Sequence, residues 1–291
     1  MAFNYGANPY EIELPTIQFA TKLDMLLQQK ISKLRGYCES GEHTGKQASM
    51  VQQIGVLEAK QPAGRFSPLV PQLPNYTRRW VFPNDRSITV LVDQFDELRT
   101  IIDPKAGISE ATSAAYQRYM DDLIINAANG TATTGVDPSS QQTESFSTTV
   151  STSGGYLVAD TFAASSSTGM TYPKLVEAYR VMRHAQVDLD AETPCLLMSS
   201  QQEADLKKQQ EVISKEYNAN MVVENGRVQH LAGFDIVVSE RVNTSSSNSL
   251  RNCLAFVRSG LYLGIWRDLM VKIDNRIELE SQPWQLYSRL T

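Results

Sequence analysis

Ser109-Glu-Ala-Thr-Ser-Ala-Ala-Tyr-Gln-Arg-Tyr-Met-Asp-Asp-Leu-Ile-Ile-Asn-Ala-Ala-Asn-Gly130 reads as one long helix. Ser109 is placed to cap it, since its hydroxyl can accept from a free first-turn amide. Glu110 follows, where negative charge suits the helix dipole. Tyr116, Met120, Leu123, Ile124 and Ala127 recur at spacings of three and four and share a face. Tyr116, Met120 and Leu123 are expected to hold the helix to a sheet. Arg118 and Asp122 stand at i, i+4 and can pair. Asn129-Gly130 supplies the stop, with Gly130 expected in the left-handed conformation. At about 1.5 Å per residue the helix is roughly 30 Å long. Asp121 and Asp122 point about 100° apart, so they cannot readily share a proton or a metal. Both are expected to be exposed, facing solvent or a partner.

Upstream, residues 1–15 hold Tyr5, Tyr10 and two prolines without periodicity, which predicts an extended arm. Residues 17–34 predict an amphipathic helix on Phe19, Leu23, Leu26, Leu27, Ile31 and Leu34, ended by Gly36 and a polar run over 39–45. A strand is expected over 50–57. Pro62, Pro68, Pro71 and Pro74 then forbid a helix and remove ladder donors. Residues 76–82 and 87–92 read as strands around the turn Pro83-Asn84-Asp85. The stretch 46–86 therefore predicts a projecting loop of β character without a core. A neighbouring copy of the chain is the simplest cover for it. A short helix over 93–102 and a break at Asp103-Pro104 with Gly107 complete this half.

Downstream, 131–155 is rich in Ser, Thr, Gly and Gln and reads as exposed turns or a polar hairpin, and 165–169 as a second flexible patch. Thr171 can cap a helix striped by Leu175, Ala178, Tyr179 and Met182. Residues 193–198 are a buried-strand run, and Ser200 with Glu203 reads as a capping box. Strands follow over 234–239, 253–257 and 261–266, with a polar loop at 243–248. Leu269, Val271, Ile273, Ile277 and Leu279 alternate about Asp274-Asn275, which predicts a hairpin turning there.

Composition bounds the function. A formal charge of −5 argues against a dedicated nucleic-acid binder, though not against a protein that encloses nucleic acid. Cys38, Cys195 and Cys253 are too few and too widely spaced for a disulfide framework or zinc knuckle, and read as small core hydrophobes of a reducing compartment. No signal peptide or membrane span is expected. His43, His184 and His230 sit in no ligand or catalytic spacing, and no nucleophile elbow, Walker loop or dinucleotide fingerprint is present. Arg78-Arg79-Trp80 combines charge with an aromatic, and is read as reaching an acidic neighbouring subunit in preference to nucleic acid.

Several strings resemble the major capsid proteins of tailed bacteriophages with the HK-ninety-seven-like (Johnson) fold. They are Val92-Asp-Gln-Phe-Asp-Glu-Leu-Arg99, Met120-Asp-Asp-Leu-Ile-Ile125, Thr171-Tyr-Pro-Lys-Leu175 and Leu231-Ala-Gly-Phe-Asp-Ile-Val-Val-Ser-Glu-Arg241. The resemblance covers most of the chain from about residue 45. It implies an α+β fold with an N-terminal arm and helix (1–45), an E-loop (46–86), a peripheral domain with a long spine helix (87–170 with 268–291) and an axial domain (171–267). It implies assembly of many copies, as hexamers and pentamers, into an icosahedral head around double-stranded DNA contacted non-specifically, within a virion built in the host bacterial cytoplasm. Portal and decoration proteins are the implied partners. The region ahead of the E-loop is too short for a built-in scaffolding domain, which implies a separate scaffold or none. No catalytic, cofactor or metal residue is implied, nor a cross-link at Lys60. The candidate inter-subunit contacts are Tyr5, Tyr10, Lys60, Arg65, Phe66, Arg78, Arg79 and Trp80. An encapsulin-like compartment of the same fold and a soluble hydrolase are the alternatives.

Overall fold

The computed structural model describes residues 28–45, 49–55, 57–61, 64–68, 71–93, 104–135, 142–146, 149–213, 223–224, 226–244, 250–280 and 282–291. The chain opens with a 3-10 turn, Arg35–Tyr37, then β1 (Glu39–Glu42), β2 (Ser49–Ile54), β3 (Tyr76–Val81) and β4 (Arg86–Val92). Helix α1 (Pro104–Asn129) leads to β5 (Thr131–Thr134) and β6 (Gln142–Ser145). Helix α2 (Tyr172–His184), β7 (Cys195–Met198), α3 (Ser200–Lys207) and α4 (Gln210–Ile213) come next. The short strands β8 (Val223–Glu224), β9 (Arg227–Val228) and β10 (His230–Leu231) precede β11 (Phe234–Val238) and β12 (Leu254–Phe256). The chain closes with β13 (Tyr262–Ile265), β14 (Met270–Asn275) and β15 (Trp284–Leu290).

The central sheet has the order β10-β11-β7-β12, with β11 parallel to β7 and β12 antiparallel to it. All four residues of β7 are buried. Successive strand side chains point to opposite faces. Cys195 and Leu197 enter a core with Leu34, Cys38, Ile124, Ile125, Val237, Val242 and Phe256. Leu196 and Met198 enter another with Leu175, Leu206, Val212, Val228, Leu231 and Phe234. A continuous apolar run is what a strand covered on both faces requires. Burial pushes the Cys195 thiol up to about 12 and that of Cys38 to about 11, so both sit as neutral hydrophobes. The turn Ala232-Gly233 joins β10 to β11 with φ of 52° and 84°, the conformation a two-residue hairpin favours. A side chain at Gly233 would also strike the Tyr179 ring.

A three-stranded sheet, order β14-β15-β4, carries α1 on one face. Tyr116 and Met120 pack with Leu290, Ile88 and Leu269, and the Tyr116 hydroxyl donates to the Ser288 carbonyl at 2.8 Å. Helix α1 thus bridges two cores. Tyr116 and Met120 lie on this sheet, and Ile124 and Ile125 enter the core beneath β7.

Several local expectations need correcting. Helix α1 starts at Pro104, not at Ser109, because proline suits a first helical position where no amide partner exists, and Gly107 is carried inside the helix. Ala127 is exposed while Ile125 is buried, because the helix meets different cores along its length. The helix stops at Gly130, but not by a left-handed residue, since its φ is not positive. A Cβ there would come within 2.7 Å of the Asn126 carbonyl oxygen, so close approach explains the glycine. Residues 28–34 are not helical; Asp121 draws this segment into another path. The run over 39–45 contains β1, which pairs parallel with β13. The capping pair is Ser199 with Gln202, one residue earlier than expected, with the Ser199 amide donating to Gln202 Oε1 at 2.9 Å. Strand β14 runs through Asp274-Asn275 and pairs with β15, so the chain turns after Asn275 and not at it. The helix expected over 93–102 lies outside the described residues from 94 on.

Candidate assembly interface

The stretch 46–86 behaves as its prolines require. Residues 57–61, 64–68 and 71–75 form no helix or strand. Phe66 is 97% exposed and Leu73 90%. Ile54, Leu57 and Tyr76 are exposed as well. An apolar set of this kind, left in water within one chain, marks a surface meant to be covered. At the base of the stretch, β2 and β3 form an antiparallel ribbon, and the β5–β6 hairpin adds to it through Arg79 opposite Thr134. Strands β3 and β4 flank the turn 83–85 but do not pair with each other. They belong to different sheets.

The candidate contacts fall into three groups. Lys60, Arg65 and Phe66 are exposed on the loop. Arg79 and Trp80 are engaged inside their own chain: Arg79 meets Glu144 at 3.2 Å and Trp80 Nε1 donates to the Gly135 carbonyl at 3.1 Å. The β5–β6 hairpin thus supplies Arg79 with an acid from the same chain, and both side chains brace the loop base. Arg78 is half-buried on the same strand. Tyr5 and Tyr10 lie outside the described residues.

The same base leans on β13. A side chain at Gly264 would run into His43, Val81 and Trp266, so glycine lets the three meet. His43 Nε2 lies 2.8 Å from the Tyr262 hydroxyl, and its ring centre 5.0 Å from that of Trp266.

A second feature is the junction where the N-terminal segment meets α1. Asp121 is wholly buried, against the expected exposure. Its carboxylate accepts from Gln29 Nε2, from Ser32 Oγ at 2.6 Å, and from the amides of Lys33 and Leu34 at 3.2 Å each. Burying a carboxylate is costly unless its oxygens are satisfied, and here they are. Arg118 does not pair with Asp122. It donates to Gln28 Oε1 at 2.6 Å and to the Gln29 carbonyl at 3.0 Å. Asp122 instead holds the Arg241 guanidinium through both oxygens, and Asn243 donates to Asn126 Oδ1 at 3.2 Å. The stretch of α1 from Arg118 to Asn126 therefore clamps the N-terminal segment on one side and the chain after β11 on the other. Spacing could not reveal this, since the partners lie 87 to 119 residues away. The adjacency Asp121-Asp122 was the visible signal.

Among the described residues no group of three or more His, Cys, Asp or Glu side chains could hold a metal ion, and no helix is long and apolar enough to cross a membrane.

A family model described as phage capsid protein matches residues 15–291. The chain belongs to the phage capsid protein family. Solved capsid structures agree on the fold. The capsid of Ralstonia phage GP4 superposes with a TM-score of 0.68 at 13% identity, covering 98% of this chain and 92% of that one. The cyanophage Pam1 capsid gives 0.67 at 13% identity, over 99% and 92%. The cyanophage P-SCSP1u capsid gives 0.66 at 14% identity, over 100% and 91%. Among curated proteins none matches. The fold is HK-ninety-seven-like, with α1 as its long spine helix.

Proposed function

We propose that this major capsid protein builds the head of a tailed phage through burial of the 57–76 loop against neighbouring copies. The observation that carries the reading is the exposed apolar set Leu57, Phe66, Leu73 and Tyr76 on a stretch with no core of its own. Each such contact is modest, but many repeated contacts make a closed shell far more stable than any pair. In this reading 1–45 is the arm, 46–86 the E-loop, 87–170 with 268–291 the peripheral domain and 171–267 the axial domain. The Asp121 clamp fixes the point at which the arm leaves the subunit. Lys60, Arg65 and Phe66 contact neighbours directly, as do Tyr5 and Tyr10 of the arm, while Arg79 and Trp80 hold the loop base. The shell encloses double-stranded DNA held non-specifically. Portal, separate scaffold and decoration proteins complete a particle assembled in the host cytoplasm, and the subunit performs no catalysis.

Deletion of Lys60 to Asn75 tests the reading. The expected outcome is a folded subunit with an unchanged thermal midpoint that forms no shells in negative-stain micrographs. Shells of wild-type yield, or loss of subunit folding, overturn it. Particles of the intact chain that hold protein cargo and no DNA point to a compartment instead.

A further inference from the structure

We propose that the end of the β14-β15-β4 sheet nearest Thr291 is a docking site for the acidic turn that carries Glu278 and Glu280 in a second copy of this chain. The proposal rests on the self-assembly reading above. An open cleft of about 470 Å³ is lined there by Asp85, Arg86, Arg267, Tyr287, Arg289 and Thr291. Arg267 Nη1 and Arg289 Nη2 both converge on the Met270 sulfur, at 3.8 and 3.9 Å. A thioether is a weak acceptor, and neither guanidinium has a carboxylate partner among the described residues. Arg86 spends its Nε–H on the Tyr119 hydroxyl at 3.1 Å and lies over that ring. Asp85 accepts from Thr291 Oγ1 at 2.7 Å. In a chain with 32 acids to 27 bases, three arginines beside one aspartate form an inverted patch. Like charges held this close repel unless an anion joins them.

The complementary anion lies at the other end of the same hairpin. Glu278 and Glu280 are exposed on the turn. Glu278 is shared with Arg276 at 3.4 Å, and Glu280 has no partner among the described residues. Ile277 is 75% exposed beside them, and Leu279 is exposed too. The turn therefore offers carboxylates next to apolar side chains. The cleft offers guanidiniums next to Met270 and Leu290, and guanidinium binds carboxylate through two parallel hydrogen bonds. At about 3.3 Å per residue, β14 holds the two ends roughly 20 Å apart, so a subunit cannot satisfy its own cleft. The contact between copies is head-to-tail, the kind that closes rings or propagates across a surface.

The test uses the full chain and three variants, R267E/R289E, E278R/E280R and the four-fold swap that combines them. Each double variant is expected to keep its thermal midpoint and lose shell yield by about tenfold or more, because like charges then face each other across the contact. The four-fold swap is expected to restore yield. Double variants that assemble as the intact chain does, or a swap that stays unassembled, overturn the proposal. So does an arginine variant that forms normal shells but releases nucleic acid, which assigns the cleft to phosphate. If R267E/R289E unfolds, E278R/E280R on its exposed turn decides alone with the same two outcomes. An intact chain that never forms shells refutes the self-assembly reading itself, a result distinct from any of these.

Discussion

Strands β7 and β3 are opposite in surroundings. Every residue of Cys195–Met198 is buried, split between two cores of the same chain. No described side chain of Tyr76–Val81 is buried, and the loop that feeds the strand leaves Phe66 almost wholly in water. The difference is one of completeness. The central sheet closes its contacts within one subunit, whereas the loop ribbon has polar bracing at its base and its described apolar residues stay exposed. Stability and assembly are thereby separated along the chain, and substitutions in the two regions should fail in different ways.

The largest effect is expected at the central sheet. Phe234 is fully buried against Tyr179, and Phe234→Ala should cost about 3–5 kcal/mol in chemical unfolding, through lost burial and the cavity left behind. A loss below 1 kcal/mol would break the comparison, because the sheet would then not be self-sufficient. Next is the clamp. Asp121→Ala leaves the Gln29, Ser32, Lys33 and Leu34 donors without their acceptor and should cost roughly 3 kcal/mol. Asp121→Asn should lose a similar amount, since its amide aims a donor at donors. A neutral Asn variant would remove the acceptor role. Arg79→Ala should cost less than about 1 kcal/mol of subunit stability, because both partners of the Arg79–Glu144 pair are largely solvated. The smallest effect on the subunit is expected at Phe66→Ala, within about 0.5 kcal/mol. Its effect should appear in shell yield by light scattering. A subunit markedly destabilised by that change would show that Phe66 belongs to a core of its own chain.

Much of the fold is legible in the residues because the signals are local. The apolar run at 195–198, the stripe on α2 and the prolines over 62–74 each report a neighbourhood of a few residues. The polar hairpin β5–β6 is similarly local. Errors cluster where a distant partner decides. The segment 28–34 has helical spacing, yet Asp121 holds it in another conformation, and supplying an acceptor to its amides outweighs a weak propensity. The run over 39–45 is polar and shows no strand alternation, because parallel pairing with β13 uses backbone groups. The candidate interface divides in the same way. Exposure at Lys60, Arg65 and Phe66 follows from a proline-spaced stretch with no room for a core. The engagement of Arg79 and Trp80 within their own chain follows from a hairpin more than fifty residues later.

By itself the sequence determined the elements: a long helix bearing adjacent aspartates, a coreless proline-spaced loop, a two-faced buried strand, and the order that resembles phage coat proteins. Only the tertiary structure decided what the aspartates do. Their spacing on a helix says that they point apart, and it cannot say toward what. Asp121 turns inward because the N-terminal segment brings its donors there, and Asp122 turns to Arg241 because the chain after β11 passes beside it. The physical reason is general to both. Periodicity records which face of an element a residue occupies, while the cost of burying a charge is settled by partners that only folding brings within reach.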